Sequence, residues 1–371
     1  MGRINIGACA TCFYKNDLLL SDINYGGLYS YDFQKREIKL IYFFDDVITQ
    51  EEMHQFMVLR DLDIYLFPYN DNAIRIINVI TKEEKRIFLL PELKKPIVYS
   101  NKNNVWLVSN KEWYYFDFSD NSLKIDDKLT DFNKQIVCED EKKLHVNLND
   151  EMVIICDNEN KNIHILSFDN NKKITLNTDE IKEKIQDVFW YKSKLWFVLN
   201  DSQDIYSREI NNPIYIKYRA SDSEYISFEK LLAYSSMICW NDNLILTNYY
   251  GKNIMKIDEN KKTVDSLFND ESCFEYNMDL DYGAVYYDAI SHGEYLYFIP
   301  QRGKYIIKCD RDLNIVDKYA LELDINKNNV KDGEIILSNN NRKILYEERN
   351  AKSGLLLTDY LEYLSEYKNG E

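Results

Sequence analysis

The sequence predicts an all-β protein, and two observations, its composition and a repeated unit, lead to that class. Its 371 residues include 30 Tyr and 17 Phe but only 11 Gly and 5 Pro, a composition that favours half-buried pleated surfaces. A hairpin-like unit recurs along most of the chain. Nowhere do 18 apolar residues run together, as a membrane-spanning helix would require. With so little Gly, we expect turns built on Asn and Asp.

The recurring unit is an apolar run, a short polar link, a second run and a closing Asp or Asn. The stretch "WLVSNKEWYYFDF", residues 106–118, shows this order, which is typical of a β-hairpin. We expect the closing Asp to open the next turn by accepting hydrogen bonds from backbone N–H groups two residues on. The apolar runs start at Leu18, Ile64, Val105, Met152, Leu195, Leu244 and Tyr295.

Successive runs start 41 to 51 residues apart, which is the period of a four-stranded propeller blade. Most hairpins are preceded by another candidate strand: "ATCFY", "QFMVL", "PIVYS", "DVFWY", "SMICW" or "YYDAI". Several are followed by a more charged one: "REIKLIYFF", "EEKRIFLL" or "NIVDKYAL". The sequence therefore predicts four strands per unit.

On these repeats, the chain resembles the β-propeller superfamily, with a WD-repeat-like or kelch-like shape, over residues 7–323. The resemblance implies seven blades of four antiparallel strands. Six blades with extra strands, or eight with a degenerate last one, are the alternatives. The Trp-Asp and Gly-His signatures of WD repeats are missing, and a kelch-like double glycine occurs once, at Gly26 and Gly27. No family within the superfamily is indicated.

We predict a single domain over residues 1–371. Residues 324–371 are expected to add a closing hairpin and a C-terminal helix, because a closed propeller leaves no free sheet edge. Short helices are expected in the connections "TDEIKEKIQDV", from Thr178, and "SDSEYISFEKLLAYSS", from Ser221. Thr178 is a suitable N-cap there, with Ile181 and Ile185 four residues apart.

Charge and cysteine content limit the partners and the compartment. A formal net charge of −16 opposes binding to nucleic acid or to anionic membrane surfaces. The first 20 residues lack the apolar core of a signal peptide. Seven scattered cysteines are expected to be reduced core residues rather than disulfides. These features predict a cytoplasmic protein.

Few residues form a motif with recognisable chemistry. Cys9 and Cys12 form a C-x-x-C, but residues three apart on a strand face opposite sides and no second pair completes a metal site. The four histidines occur singly, so no zinc site is predicted. His54 follows Glu51 and is the histidine best suited to acid–base chemistry, although packing is the commoner role of an isolated histidine.

The links between second and third strands are the predicted binding region, since in propellers they lie with the blade-joining loops at one end. Aromatic rings and amide or guanidinium donors there suit sugar faces or peptide side chains, although Tyr is frequent throughout this chain. The candidates in these links are Tyr25, Tyr69, Asn70, Trp113, Tyr249, Tyr250, Gln301 and Arg302. The long connector 268–290 adds Tyr282, Tyr287, Asp281 and Asp288.

The first functional hypothesis is a non-catalytic propeller, an acidic interaction module or scaffold that holds a protein, peptide or glycan-like ligand. The alternative is a lyase or hydrolase using His54, Glu51, Asp281 and Asp288, with a divalent cation on the carboxylates. A third is a structural subunit with the side of the disc as its interface. No phosphate loop, G-x-S-x-G or H-E-x-x-H motif occurs, and no other cofactor is predicted.

Overall fold

The chain folds almost entirely into β-strands. The computed structural model describes residues 3–5, 7–22, 27–44, 53–93, 95–101, 103–136, 144–200, 202–220, 234–248, 254–268, 285–301 and 303–324. Within these ranges there are thirty strands and one short α-helix. The predicted all-β class is confirmed.

Five separate sheets have four antiparallel strands in chain order, which is the build of a propeller blade. The first two are β2 (Ala8–Tyr14), β3 (Asp17–Asp22), β4 (Gly27–Asp32) and β5 (Glu37–Phe43), then β6 (His54–Arg60), β7 (Asp63–Pro68), β8 (Ala73–Asn78) and β9 (Glu84–Phe88). The next two are β10 (Ile97–Ser100), β11 (Val105–Ser109), β12 (Glu112–Asp117) and β13 (Ser122–Ile125), then β14 (Leu144–Leu148), β15 (Met152–Asp157), β16 (Asn162–Ser167) and β17 (Lys173–Asn177). The fifth is β26 (Tyr286–His292), β27 (Tyr295–Pro300), β28 (Tyr305–Cys309) and β29 (Ile315–Ala320).

The remaining long sheet has eight strands. It contains β18 (Ile185–Tyr191), β19 (Lys194–Leu199), β20 (Ile205–Glu209), β21 (Ile216–Ala220), β22 (Tyr234–Trp240), β23 (Asn243–Asn248), β24 (Ile254–Asp258) and β25 (Thr263–Ser266). The outer strands β21 and β25 pair in parallel through Arg219 with Thr263 and Ala220 with Val264. The structure thus has five separate blades and one double sheet, where the sequence predicts seven separate blades.

Two further strands join the beginning of the chain to the segment after the last blade. Strand β1 (Arg3–Asn5) pairs antiparallel with β30 (Glu322–Asp324). The closing hairpin and C-terminal helix were predicted for residues 324–371. All of these residues except Asp324 lie outside the described residues. Most of the segment from Ser221 also lies outside them, and its end enters strand β22.

The predicted helix from Thr178 is wrong. The segment makes a single turn, with a hydrogen bond of 2.9 Å from the Ile181 N–H to the Thr178 carbonyl, before β18 begins at Ile185. Ile181 and Ile185 are buried in the core. About seven residues between two strands are too few to nucleate a stable helix. The backbone therefore forms a turn, and the two isoleucines reach the core from it.

The observed helix, α1 (Asp127–Lys134), joins the third and fourth sheets and was not predicted. The Asp126 side chain caps it by accepting a hydrogen bond from the Leu129 N–H. Leu129 and Phe132 are buried in one core cluster with Trp113. Tertiary packing rather than an apolar repeat therefore stabilises this helix.

The predicted order of strands within a blade is confirmed. All six candidate first strands lie in β2, β6, β10, β18, β22 and β26, and the three charged fourth strands lie in β5, β9 and β29. Strand β14 is a further first strand that the sequence did not reveal, because "LHVNL" is short and lacks a continuous apolar run.

The closing Asp or Asn opens the next turn, as predicted. Its side-chain oxygen accepts a backbone N–H from two residues on in five turns between a third and a fourth strand, those of Asp32, Asn78, Asp117, Asp258 and Asp310. Asp157, which ends the second strand β15, makes the same contact in the link to β16. The residue four positions after the Asp or Asn has a positive φ in four of these five turns, and also after Asp157; these residues are Arg36, Lys82, Asn121, Lys262 and Lys161. This repeated turn sets the register of the third and fourth strands.

The chain divides into two compact units, residues 1–86 with 319–371, and residues 87–318. The boundaries fall inside β9 and β29. In the first unit, Leu19, Leu28, Ile64 and Leu66 are fully buried between the first two sheets. The second unit has its own core clusters, one of them around Phe197.

We expect Asp157→Ala to lower the free energy of unfolding by about 1–2 kcal/mol, because hydrogen bonds to two backbone N–H groups and to the Asn160 side chain are lost. Asp157→Asn keeps one acceptor oxygen and should lose less. Denaturant unfolding monitored by fluorescence measures both. Equal stability of the Ala variant and the wild type would contradict the structural role of this turn.

Candidate functional site

In several blades the link after the second strand folds back onto the start of the first. The Tyr69 N–H donates to the Met53 carbonyl (2.8 Å), the Asn200 N–H to Lys184 (2.9 Å), and the Gln301 N–H to Val285 (3.2 Å). The blade-joining connection enters at the same point, because it leads into the first strand. The start of the link and the residue that leads into the first strand therefore lie at one end of each of these blades.

The first strands begin with an irregular register in five places. Pairing shifts between Ala8 and Ala10, His54 and Phe56, Ile185 and Asp187, Tyr234 and Ser236, and Tyr286 and Asp288. Such a bulge re-aims side chains and often lies beside functional sites. Three predicted residues, His54, Tyr287 and Asp288, lie on these bulges.

In the first unit, a buried polar cluster surrounds His54. We call Ser21, His54, Asp71, Arg75 and Glu84 the Arg75 cluster. The Arg75 guanidinium donates to Asp71 through Nε and to Glu84 Oε1 through a second nitrogen at 2.8 Å. Arg75 is 1% exposed, so its charge is compensated almost entirely by these two carboxylates.

The electrostatics of Asp71 follow from this pairing. Burial alone would raise the pKa of its carboxyl, but the neighbouring His54 and Arg75 outweigh burial and lower the pKa to about 2. Asp71 is therefore ionised at neutral pH. The Arg75 guanidinium also lies over the Phe44 ring, 5.1 Å from its centroid.

His54 is enclosed by the same cluster. Its Nδ1 lies 3.0 Å from the Ser21 hydroxyl, and its Nε2 lies 3.6 Å from Asp71 Oδ2, an electrostatic contact longer than a hydrogen bond. Burial lowers the pKa of the imidazole, an effect that Asp71 partly opposes. His54 is 0% exposed, so this arrangement gives the neutral ring a packing and orienting role and offers no face to a ligand.

The link between β7 and β8, residues 69–72, is held by the Arg75 cluster beneath it. Asp71 is 8% exposed, whereas Tyr69 is 40% exposed. The Gln55 side chain donates to the Pro68 carbonyl at 2.8 Å, just before the link. The backbone that carries the predicted binding residues Tyr69 and Asn70 is thus held on one side by Asp71 and on the other by the hydrogen bond to Pro68.

The other predicted binding residues fall in different environments. Trp113 lies on β12, fully buried, and its ring stacks on Tyr99 with centroids 5.4 Å apart. Gln301 is 4% exposed, and Tyr287 is half-buried on the β26 bulge. Outside the described residues lie Tyr25, Glu51, Tyr249, Tyr250, Asp281, Tyr282 and Arg302.

Two aspartates share one position in the repeat, after the bulges of β18 and β26. Burial raises the pKa of Asp187 to about 7 and that of Asp288 to about 6. Each side chain accepts a hydrogen bond from the next backbone N–H, at 2.8 Å from Val188 and 2.7 Å from Ala289. Both carboxyls are enclosed by protein, although both residues keep some exposed surface.

Sequence reasoning missed Arg75, Asp71, Ser21 and Asp187. A lone Arg inside the apolar strand "AIRIIN" was the available signal, because a buried guanidinium requires carboxylate partners. The start of β18, "IQDVFWY", repeats the Asp of "YYDAISH" on β26, so strand alignment could have revealed Asp187.

Within the described residues, no three His, Cys, Asp or Glu side chains are grouped as a metal ion would require. A search of the same residues found no helix with the length and apolar character needed to cross a membrane.

No protein-family model matches this sequence, and no curated protein matches it. Solved structures do. Virginiamycin B lyase from Staphylococcus aureus is 10% identical with a TM-score of 0.53, covering 81% of this chain and 95% of that one. A streptogramin B lyase is 12% identical (TM-score 0.51; 80% and 92%), and Hsv2 from Kluyveromyces lactis is 11% identical (TM-score 0.50; 85% and 99%). These likenesses show the fold alone, a β-propeller.

We expect Arg75→Leu to lower the free energy of unfolding by about 3–5 kcal/mol, because Asp71 and Glu84 would remain buried without a cation. Arg86→Leu is the matched control. Arg86 also pairs with Glu84 but is partly exposed, so its loss should cost less than about 1 kcal/mol. Equal losses in denaturant unfolding would contradict the assignment of Arg75 as the centre of the cluster.

Proposed function

We propose that this chain is a ligand- or protein-binding propeller that acts as an interaction module through the link ends of its blades. The observation that carries the proposal is the β7–β8 link. Tyr69 is exposed on a backbone fixed by the Tyr69–Met53 hydrogen bond and by the ion pair of Asp71 with Arg75. An aromatic ring held in this way binds at low entropic cost.

Protein, peptide or glycan-like ligands fit this link best. Tyr offers a flat face and a hydroxyl, and Asn70 lies beside it in the sequence. The formal charge of −16 disfavours nucleic acid and anionic membranes. A cytoplasmic location is part of the same proposal.

We also propose that the propeller has seven blades. In support, the eight-stranded sheet consists of two runs of four antiparallel strands, β18–β21 and β22–β25, that meet through two residue pairs within the described part of the chain. Counting each run as a blade gives the number that the spacing of the hairpins predicts.

The binding proposal is tested by probing peptide and glycan arrays with the wild type and with Tyr69→Ala. We expect Tyr69→Ala to weaken binding at least tenfold, the loss typical of a central aromatic contact, without a change in unfolding. Phe88→Ala is the control, since Phe88 is 65% exposed on β9 rather than on a link. Undiminished binding by Tyr69→Ala, or no reproducible binding by the wild type, would refute the proposal for these ligands.

The second candidate is a lyase or hydrolase, and Asp288 favours it. A carboxyl with a pKa raised to about 6 by burial can act as a general acid near neutral pH. The wild type should then turn over a substrate in a screen of esters, lactones and glycosides. The rate of that turnover should fall at least a hundredfold in Asp288→Asn. Activity that survives in Asp288→Asn would exclude Asp288 as the acid.

A further inference from the structure

Three polar residues have neighbouring backbone positions at the start of β18 in the second unit. Ile185 pairs with Leu199 and Asp187 with Val198, so Gln186 is the extra residue of the bulge. Asn200 follows Leu199 directly, and its N–H donates to the Lys184 carbonyl at 2.9 Å. Gln186, Asp187 and Asn200 therefore occupy the same end of one hairpin.

Two of these groups have buried acceptor oxygens without a partner among the described residues, Gln186 Oε1 and Asn200 Oδ1. The orientation of the Gln186 amide is fixed because its Nε2 donates to the Tyr234 carbonyl at 2.5 Å. A buried acceptor that lacks a donor is costly. Both oxygens thus require an N–H or O–H group from outside the described residues.

Among the described residues, no cation pairs with the Asp187 carboxyl. Its described hydrogen bond comes from the Val188 N–H, and no ion pair joins it to a described Lys or Arg. The titratable groups whose pKa values respond to its charge are Tyr99 on β10 and Cys156 on β15, and burial keeps both uncharged. An ionised Asp187 would therefore be the one charge among these three groups.

The start of β18 is also rigid. The Asn158 amide donates to the Ile185 carbonyl at 2.7 Å and accepts from the Ile185 N–H at 2.9 Å. This pair of hydrogen bonds fixes the backbone immediately before Gln186. The acceptors are consequently presented in a set arrangement, which is what preorganised binding requires.

We propose that Gln186, Asp187 and Asn200 form a site for a primary ammonium group, carried by a lysine side chain or by a polyamine. An ammonium has three N–H donors, which match two amide oxygens and one carboxylate. Its positive charge supplies the cation that Asp187 lacks, and the net charge of −16 draws cations to the protein. This site goes beyond the proposed function, since Tyr69 belongs to the first unit and the two can fail separately.

Binding is coupled to proton release. Below the pKa of Asp187, about 7, the R–NH₃⁺ group meets a protonated carboxyl, the O–H bond of that carboxyl breaks, and the proton leaves to buffer. The ammonium keeps all three protons and forms the ion pair. Proton release should fall from about one per ligand at pH 6 to nearly none at pH 8, while affinity rises about tenfold.

The experiment is calorimetry of the full chain at both pH values, in two buffers of different ionisation enthalpy. The probes are n-butylamine, N-acetyl-lysine methylamide and spermidine. Binding of the lysine derivative at least as tight as that of spermidine would point to a protein ligand, and the reverse to a polyamine. Tetramethylammonium has the same charge without N–H donors and should bind at least tenfold more weakly than n-butylamine.

The variants locate the site. Asp187→Asn keeps an acceptor for the Val188 N–H and should abolish amine binding and proton release, whereas Asp288→Asn, at the same position in the repeat, should change neither. Asn200→Ala should weaken amine binding about tenfold. If Asp187→Asn folds poorly, Asn200→Ala is the decisive variant. Unchanged binding in the decisive variant, equal affinity for tetramethylammonium, tighter binding of Ca²⁺, or no amine binding at millimolar concentration would overturn the proposal.

Discussion

The hydrogen bond from a backbone N–H to the Asp or Asn that closes the third strand is the constraint on which most of the four-stranded runs depend. It opens the turn to the fourth strand in five of the runs of four strands, and in a chain with 11 glycines it replaces the glycine turns common in β-proteins. Once this turn fixes the register, the apolar faces of the second and third strands must meet the core.

The bulge at the start of the first strand lets one scaffold hold different chemistry from blade to blade. The position after the bulge is Ala10, Phe56, Asp187, Ser236 or Asp288. The backbone is the same in kind, so the side chain can vary without disturbing the pairing that follows. Differences between the blades therefore concentrate where the links and the joining connections also lie.

Local patterns explain what the sequence could predict. The hairpin from Val105 was predictable because its strands, link and closing Asp117 are contiguous. Helix α1 was not predictable, because Phe132 is stabilised there by tertiary packing in one core cluster with Trp113. The eight-stranded sheet was not predictable either, because it depends on pairs between distant residues such as Arg219 and Thr263. His54 was singled out from the sequence as a candidate for acid–base chemistry. Its packing role could not be predicted, because it depends on Arg75, which lies on β8 whereas His54 lies on β6.

The two clusters of buried charge differ in one physical respect, and that difference separates structure from function. In the first unit, the guanidinium of Arg75 faces Asp71 and Glu84, so the charges are satisfied within the fold. In the second unit, Asp187 has a backbone N–H and uncharged neighbours. A scaffold built for stability alone gains nothing from an enclosed carboxyl without a cation. This difference is the reason that we place the proposed ammonium site at Asp187 rather than in the Arg75 cluster.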